Sequence, residues 1–485
     1  LGTVERLRFA PKGKTRDAQL ATTKSEGVFA LCCPIKKERI ISMERNLTTG
    51  SVFKNILSFM LPYLLSYFLQ TLYGMADLFI IGQFEGAAST TAVSIGSQVM
   101  HMLTVMIVGL AMGATVSIAR DVGGGQLDKA RSHIGNTVTM FMAGSLVLTA
   151  ALLLLVDPIV SVMSTPQEAA AGTRAYLLVC FAGIPFITAY NIISSIFRGL
   201  GDSKSPMYFI ALACATNIAL DYLFMGAMHM GAAGAALGTT LAQTLSVIVA
   251  LTVILKKDTG IRVSKGDLRP QKAVTGQILR LGAPMAVQDG LIQISFLIIT
   301  VIANHRGLID AAAVGIVEKI MSFMFLVPSS MLSTVSALGA QNIGAGKPER
   351  AVATLRYAIL MATGFGIVIG IVMQFAAQGM VGLFTSDLAV AVAGGAYLRG
   401  YIWDATLGGI HFSFSGYFCA VGRSELSFLH NILAIILVRV PGAYLTSKWF
   451  PHTLLPMGLA TAVGSLTSVV ICVICYGYLK RKKAA

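Results

Sequence analysis

Charged residues are scarce in this sequence: Asp, Glu, Lys and Arg together make up only 12% of its 485 residues. Soluble globular chains carry about 25%, so this chain has too few polar groups to cover a water-soluble particle, which argues against a soluble enzyme. Seven cysteines are too few for a disulfide-stapled scaffold. The 49 glycines follow no triplet repeat and hydrophobic residues reach 55%, which argues against collagen-like and disordered chains. The class that remains is a polytopic membrane protein.

The net charge of +15 is distributed as membrane topology requires. Ten of the 37 Lys and Arg residues lie within the first 45 positions, and the others fall in short breaks between apolar stretches. This distribution favours a role in topology, and we expect no nucleic-acid binding.

Metal binding is not expected either. Five cysteines lie inside apolar runs, where a thiol packs as a small hydrophobe, and no zinc-type spacing is present. His101, His411 and His430 fall on separate spans with no pairing at ligand spacing.

The first 52 residues are polar and basic, unlike the remainder of the chain. Their one apolar patch is too short to span a bilayer and is followed by no signal-peptide cleavage site. We predict a disordered segment over 1–52, with Met43 as a candidate natural start.

Membrane spans follow from the apolar runs, since a helix needs about 20 residues to cross the bilayer core. Backbone groups in lipid must be paired within the segment, so the spans are predicted to be helices. Strict alternation of a barrel strand is absent. The sequence therefore predicts an all-α integral membrane protein with twelve spans, at about 56–80, 93–117, 133–156, 175–197, 207–228, 234–254, 278–303, 315–338, 355–378, 394–416, 428–446 and 455–478.

Basic residues occupy alternate breaks between these spans, the other breaks holding only Arg174, Arg306, Arg399 and Lys448. The positive-inside tendency then places both termini in the cytoplasm and the chain in the inner (plasma) membrane. The expected domains are a first lobe at 53–255, a cytoplasmic linker at 256–277, a second lobe at 278–480 and a basic tail at 481–485.

An internal repeat relates the two lobes at an offset of about 221 residues. The repeated segments are Ile56–Pro62 with Ile278–Pro284, Gly123–Ala130 with Gly344–Ala351, and Phe197–Ser203 with Phe418–Ser424. Six spans per repeat preserve the orientation, so these are parallel repeats, which are typical of transporters. The glycines of the Gly123 segment follow an apolar helix and lack the Lys-Ser/Thr ending of a phosphate loop, so we expect them to form tight turns.

Polar residues inside the spans are candidates for function, because a carboxylate at mid-bilayer costs about 2.5–3.5 kcal/mol on insertion scales. In the first lobe these are Asp77 and Asp221. Asn217 lies four residues before Asp221, on the same helix face, and Thr239 adds a hydroxyl. Such an oxygen-rich pocket suits a sodium ion or a carboxyl group that takes up protons. The alternative is plain hydrogen bonding between helices.

Several motifs together resemble one family of secondary transporters. They are Pro62 with Asp77 in span one, Gly-x-Gly turns after spans two and eight, Arg198-Gly-Leu-Gly-Asp202 after span four, and Asn217-Ile-Ala-Leu-Asp221-Tyr in span five. Over residues 53–480 the chain resembles the multidrug and toxic compound extrusion (MATE) family, its DinF-like branch more than its NorM-like branch. The resemblance implies exchange of organic cations or other toxic compounds for sodium ions or protons, by rocking of two six-helix lobes and without ATP.

The resemblance also implies site residues. DinF-like relatives bind the coupling cation through an Asp in span one, an Asn and an Asp four apart in span five, and a Thr in span six, which match Asp77, Asn217, Asp221 and Thr239.

The NorM-like branch carries functional acidic residues in spans seven and ten. In the second lobe, Asp404 falls in span ten and Asp289 in span seven. Glu318 lies beside Lys319, and we expect the pair to face a cavity or partners on other helices. Arg439 is expected to meet a carboxylate or to reach the membrane interface.

A cavity for flat, apolar cations also needs aromatic and methionine side chains. Such side chains more often pack or face lipid. The candidates are Tyr73, Met75, Phe296, Met321, Met324, Phe325 and Tyr401.

The hypothesis is an antiporter for cationic amphiphilic substrates, a monomer in the lipid bilayer with no cofactor beyond its coupling ion, Na⁺ or H⁺, and with no enzymatic activity. A flippase for lipid-linked oligosaccharides of the same superfamily is the alternative, and would need a strongly cationic cavity. A membrane prenyltransferase would need clustered acidic residues in a cytoplasmic loop, and the sequence contains no such cluster.

Overall fold

A computed structural model describes residues 47–256 and 263–484, and within these ranges every regular element is helical. Most of the predicted N-terminal segment, residues 1–46, lies outside the described residues. Eleven of the described helices are long and apolar enough to cross a membrane. A twelfth, Leu388–Ala420, has 33 residues. The predicted all-α architecture of twelve spans is confirmed.

The twelve long helices each contain or closely match one predicted span. In chain order they are α1 Val52–Phe84, α2 Ala87–Gly123, α3 Leu127–Leu154, α4 Gln167–Leu200, α5 Lys204–Ala227, α6 Gly231–Lys256, α7 Lys272–Asn304, α8 Leu308–Gly344, α9 Pro348–Gly382, α10 Leu388–Ala420, α11 Ser424–Trp449 and α12 Leu455–Ala484. Most extend beyond the predicted spans, because hydropathy detects the apolar middle of a helix while its polar ends continue the same backbone hydrogen bonding. We refer to α1–α6 as the first half and to α7–α12 as the second half.

Three helices depart from regular geometry. In α8 the α-helix is interrupted at Phe325, two residues before Val327-Pro328, since proline supplies no backbone N–H. Wide π-helical turns occur at Tyr222–Ala227 in α5 and at Ile435–Arg439 in α11. Such turns are frequent at functional sites, and these two directly adjoin or contain candidate site residues, Asp221 and Arg439.

The glycine-rich segments form tight turns, as predicted from the sequence. Gly125 follows α2 with φ of 69° and Gly346 follows α8 with φ of 70°, in the left-handed region that glycine enters without penalty. The two positions are 221 residues apart, so the repeat in the sequence corresponds to a repeat in backbone conformation.

The two halves meet where α2 and α8 end, through a pair of equivalent contacts. Arg120 Nη2 donates a hydrogen bond to the Ala420 carbonyl oxygen at 2.7 Å, and Gln341 Nε2 donates to the Gly199 carbonyl oxygen at 3.1 Å. Arg120 and Gln341 are 221 positions apart, and so are Gly199 and Ala420. We call these four residues the clasp.

Glycine allows this close approach. A Cβ atom at Gly123 would collide with the Gln341 carbonyl oxygen, and one at Gly344 would collide with the Arg120 carbonyl oxygen. An apolar cluster from both halves seals the same region, and its members include Met112, Val116, Ala119, Leu281, Met285, Ala340, Cys419 and Ala420.

The segments that lead into α1 and α7 also make equivalent contacts. Before α1, the carbonyl oxygens of 48–50 accept hydrogen bonds from Lys347 and Arg350 of the second half. Before α7, the Gln271 backbone N–H donates to Asn136 Oδ1 of α3 at 2.6 Å. Each half therefore holds the start of the other half's first helix.

At the opposite end of the bundle, Arg306 organises the turn between α11 and α12. Its side chain is largely buried, pairs with Asp310 at 2.7 Å, and donates to four backbone carbonyl oxygens, those of Ser447, Phe450, Pro451 and Thr453. This single side chain replaces regular secondary structure as the support of the turn.

Candidate functional site

Three helices of the first half bring four polar side chains together. Asp77 lies on α1, Asn217 and Asp221 lie one turn apart on α5, and Thr239 lies on α6. Thr239 Oγ1 donates to Asp77 Oδ2 at 3.2 Å, and Asn217 Nδ2 donates to Thr239 Oγ1 at 3.5 Å. Asp77 and Asp221 also interact electrostatically. The four residues that the sequence singled out in this half thus form one cluster, which we call the acidic centre.

The acidic centre is enclosed. The exposed fraction is 3% for Asp77, 1% for Asn217 and 0% for Asp221. Gly238 on α6 makes this possible, because a Cβ atom there would collide with Asp221 Oδ1. Only glycine lets α6 lie this close to the carboxyl group.

Several oxygen atoms of the acidic centre have no hydrogen-bond partner. They are Asp77 Oδ1, Asn217 Oδ1 and both carboxyl oxygens of Asp221. Among the described residues, the ion pairs of Lys, Arg and His involve other carboxylates. Two ionised carboxylates in contact repel each other, and either a shared proton or a small cation removes the repulsion. Buried oxygen atoms of this kind are ligands for a hard cation.

Gln243 is a neighbour of the acidic centre that the sequence reading missed. It lies on α6, one turn beyond Thr239, is 4% exposed, and interacts with Tyr73, which itself lies one turn before Asp77 on α1. The sequence could have indicated Gln243, since Thr239 and Gln243 place two polar side chains four residues apart in an apolar helix.

The second half arranges its polar candidates differently. Asp404 is fully buried and pairs with Arg439, whose Nη2 lies 3.2 Å from Asp404 Oδ2. Arg439 therefore has the carboxylate partner that was one of its two expectations. Thr300 Oγ1 donates to Glu318 at 3.2 Å, and Glu318 also interacts electrostatically with Lys319 and Arg439.

Asp289 is separate from both clusters. It lies on α7 against α2 of the first half, where a Cβ atom at Gly109 would lie 2.7 Å from Asp289 Oδ2. Its Oδ1 accepts a long hydrogen bond from Gln288 at 3.5 Å.

The aromatic and methionine candidates are dispersed. Met321 and Tyr401 are buried in the apolar core of the second half, against which Phe296, Met324 and Phe325 pack. Tyr73 packs against a core cluster of the first half, and Met75 is 37% exposed. Their role in binding substrate stays a prediction.

The histidines His101, His411 and His430 lie on α2, α10 and α11. Where the structure describes the chain, no group of three or more His, Cys, Asp or Glu side chains is placed to hold a metal ion. The rings of His411 and His430 are neighbours at 5.6 Å and interact with Ser465 and Ser415.

A bundle of twelve helices in two repeated halves, with polar side chains in its interior, is the architecture of a secondary transporter. The MatE family model matches the chain twice, at residues 62–223 and 284–445, once in each half. The chain belongs to the MATE family. It is a multi-pass membrane protein of a family of multidrug efflux transporters, whose members are not enzymes and need no cofactor.

Similar proteins include the probable multidrug resistance protein YpnP of Bacillus subtilis, 26% identical and aligned over 85% of this chain and 92% of that protein. The probable multidrug resistance protein NorM of Thermotoga maritima is 27% identical, over 69% of this chain and 72% of the relative. The multidrug export protein MepA of Staphylococcus aureus is 24% identical, over 86% and 92%.

Solved structures share the fold. A crystal structure of MATE in complex with MaD3S has a TM-score of 0.83 at 22% identity, over 90% of this chain and 98% of that chain. An outward-facing conformation of a multidrug resistance MATE family transporter has the same TM-score and identity, over 90% of this chain and 97% of that chain.

Proposed function

We propose that this protein is an antiporter that exports organic cations or other toxic compounds in exchange for Na⁺ or H⁺ bound at the acidic centre. The observation that carries the proposal is the convergence of Asp77, Asn217, Asp221 and Thr239, with two buried carboxyl groups and no basic side chain paired with either among the described residues. The multidrug relatives favour drug export over the flippase alternative.

Coupling follows from the same geometry. With no ion bound, repulsion between the carboxylates separates α1 from α5, whereas a proton or Na⁺ draws the two helices and α6 together. The ion therefore favours one arrangement of the first half and the substrate favours another, which is sufficient for exchange. The bends available at Pro62 in α1 and Pro284 in α7 permit such movement.

The wider arrangement proposed here has two lobes, 53–255 and 278–480, joined by a cytoplasmic linker at 256–277 and followed by a basic tail at 481–485. They alternate in opening a central cavity to the two sides of the inner membrane. Both termini are cytoplasmic, residues 1–52 precede the first lobe, and the protein acts as a monomer. The clasp then closes the cytoplasmic side.

Efflux of a fluorescent organic cation from reconstituted vesicles, under an imposed Na⁺ gradient and then an imposed pH gradient, tests the proposal and identifies the ion. Asp221→Asn keeps the shape and removes the charge, so ion-driven efflux should fall to the background of empty vesicles. Thr239→Val should weaken the apparent ion affinity by about tenfold, the order expected for one lost ligand.

Thr240→Val is the matched control, because Thr240 is adjacent in sequence but its side chain packs against Gly183 instead of the acidic centre. Its efflux should equal that of the wild type. Undiminished ion-driven efflux by Asp221→Asn, at equal amounts of inserted protein, would refute the role of the acidic centre.

A further inference from the structure

Buried carboxyl groups in the two halves differ in whether a basic side chain lies beside them. In the acidic centre of the first half, both Asp221 oxygens lack a hydrogen-bond partner. In the second half, Asp404 is equally buried but has Arg439 at 3.2 Å. The two repeats therefore have the same arrangement of helices but differ in the charges beside these carboxyl groups.

Arg439 is held in place on several sides. Its Nη2 also donates to the Tyr401 hydroxyl at 3.1 Å, and its guanidinium carbon lies 4.8 Å from the centre of the Phe296 ring. The side chain belongs to the wide turn Ile435–Arg439, and Pro441 follows two residues later. An arginine keeps its charge under all physiological conditions, so the positive charge beside Asp404 is permanent.

The acidic and basic side chains in the cluster around Arg439 are equal in number. Glu318 interacts with Arg439 and with Lys319, and its carboxyl group accepts hydrogen bonds from Thr300. The second-half cluster thus contains two acidic and two basic side chains. A cation that enters it finds the Asp404 carboxylate already paired and meets a fixed guanidinium of like charge.

We propose that Arg439 is a tethered counter-ion that occupies the carboxylate centre of the second half and restricts ion coupling to the first half. The inference rests on the proposed antiport function and specifies it: Asp404 is a structural partner of Arg439, and Arg439 determines how many ions are exchanged for each substrate.

The number of coupled ions is measurable in proteoliposomes at zero membrane potential, from the substrate gradient that a known ion gradient sustains at equilibrium. Each additional coupled ion makes the substrate gradient about ten times steeper for a tenfold ion gradient. The purified full-length protein is reconstituted, and the ion identified by the efflux experiment is used.

The deciding variant is Arg439→Met/Asp404→Asn, which removes both charges and leaves no unpaired ion in the core. We expect it to sustain the same substrate gradient as the wild type. Arg439→Met alone should gain one ion at the unpaired Asp404 carboxylate and sustain a gradient about ten times steeper. A folded single variant that sustains only the wild-type gradient would show that Arg439 does not restrict coupling. If the single variant does not fold, the double variant still decides whether Asp404 carries a coupled ion.

A substrate gradient about ten times shallower in the double variant would show that Asp404 carries a coupled ion, and would overturn the inference alone. The Asp221→Asn variant distinguishes failure of the antiport proposal from failure of the inference about Arg439 alone. If it sustains the wild-type gradient, or if the wild type sustains none, the antiport proposal fails and this inference fails with it.

Discussion

Removal of the Arg120 side chain tests whether the clasp holds the two halves together at one end of the bundle. Arg120→Ala deletes the 2.7 Å hydrogen bond to the Ala420 carbonyl oxygen. Hydrogen bonds of charged groups contribute about 1.5–3 kcal/mol, and because Arg120 is only partly buried we take the lower value. A loss of about 1.5 kcal/mol increases the open population at this end about tenfold.

Cys419 provides a native reporter of that opening. It precedes Ala420, is 1% exposed, and lies in the apolar cluster between the halves. A thiol-reactive maleimide reaches it only when the halves separate, so the labelling rate follows the open population. Mass spectrometry of the peptide that contains Cys419 isolates this site from the other cysteines. We expect labelling about ten times faster in Arg120→Ala.

Two further variants complete the experiment. Gln341→Ala removes the equivalent bond to the Gly199 carbonyl oxygen and should accelerate labelling to a similar extent. Arg131→Ala is the control, because Arg131 is half-buried and pairs with Asp128 of the same helix, α3, instead of with the second half. If Cys419 reacts at the same rate in Arg120→Ala and Arg131→Ala, the clasp does not hold the halves together.

The remaining predictions concern three other positions. Gly238→Ala should weaken apparent ion affinity by at least about tenfold, since its Cβ displaces the Asp221 carboxyl group, whereas Gly82→Ala on α1 meets open space and should leave ion-dependent efflux unchanged. Arg306→Ala should lower the free energy of unfolding by about 1.5 kcal/mol, measured by thermal denaturation in detergent, because it removes the ion pair with Asp310 and the hydrogen bonds to the Ser447 and Pro451 carbonyl oxygens. Hydrogen bonds from the Ser264 backbone and hydroxyl groups lower the pKa of Asp267, so the linker turn gains stability above the ordinary Asp pKa of about 3.9 and loses it as pH falls through the lowered value. Amide hydrogen exchange in the turn, corrected for intrinsic rate, should therefore be faster at pH 3 than at neutral pH in the wild type. In Ser264→Ala the exchange should already be fast at pH 6. Equal protection of the turn in the two proteins at pH 6 would contradict this prediction.

Sequence reasoning reached the fold because each span is defined by its own composition. The twelve apolar runs correspond to twelve helices, and the repeat offset of about 221 residues reappears in the clasp. It also reached the acidic centre, partly because Asn217 and Asp221 share a helix face and partly because the family resemblance added Asp77 and Thr239.

Other features depend on contacts between distant segments, which composition does not encode. The partner of Arg439 lies 35 positions away on another helix. The sequence alone was consistent with either a carboxylate partner or a position at the membrane interface. Whether a residue in a long apolar helix packs in the core or is exposed depends on which neighbouring helices cover it, so Met321 and Tyr401 are buried while Met75 is exposed. Only the packed helices distinguish these outcomes.

The reciprocal contacts between the halves have a form known from symmetric assemblies. In an isologous dimer, a residue i of one subunit meets j of the other, and j of the first meets i of the second. Arg120 with Ala420 and Gln341 with Gly199 reproduce that relation within a single polypeptide, as do the exchanged leading segments of α1 and α7. The protein is thus organised as a covalently joined pair of six-helix subunits, whose sequences can diverge independently. Divergence between the halves accounts for Gln341 at the position equivalent to Arg120.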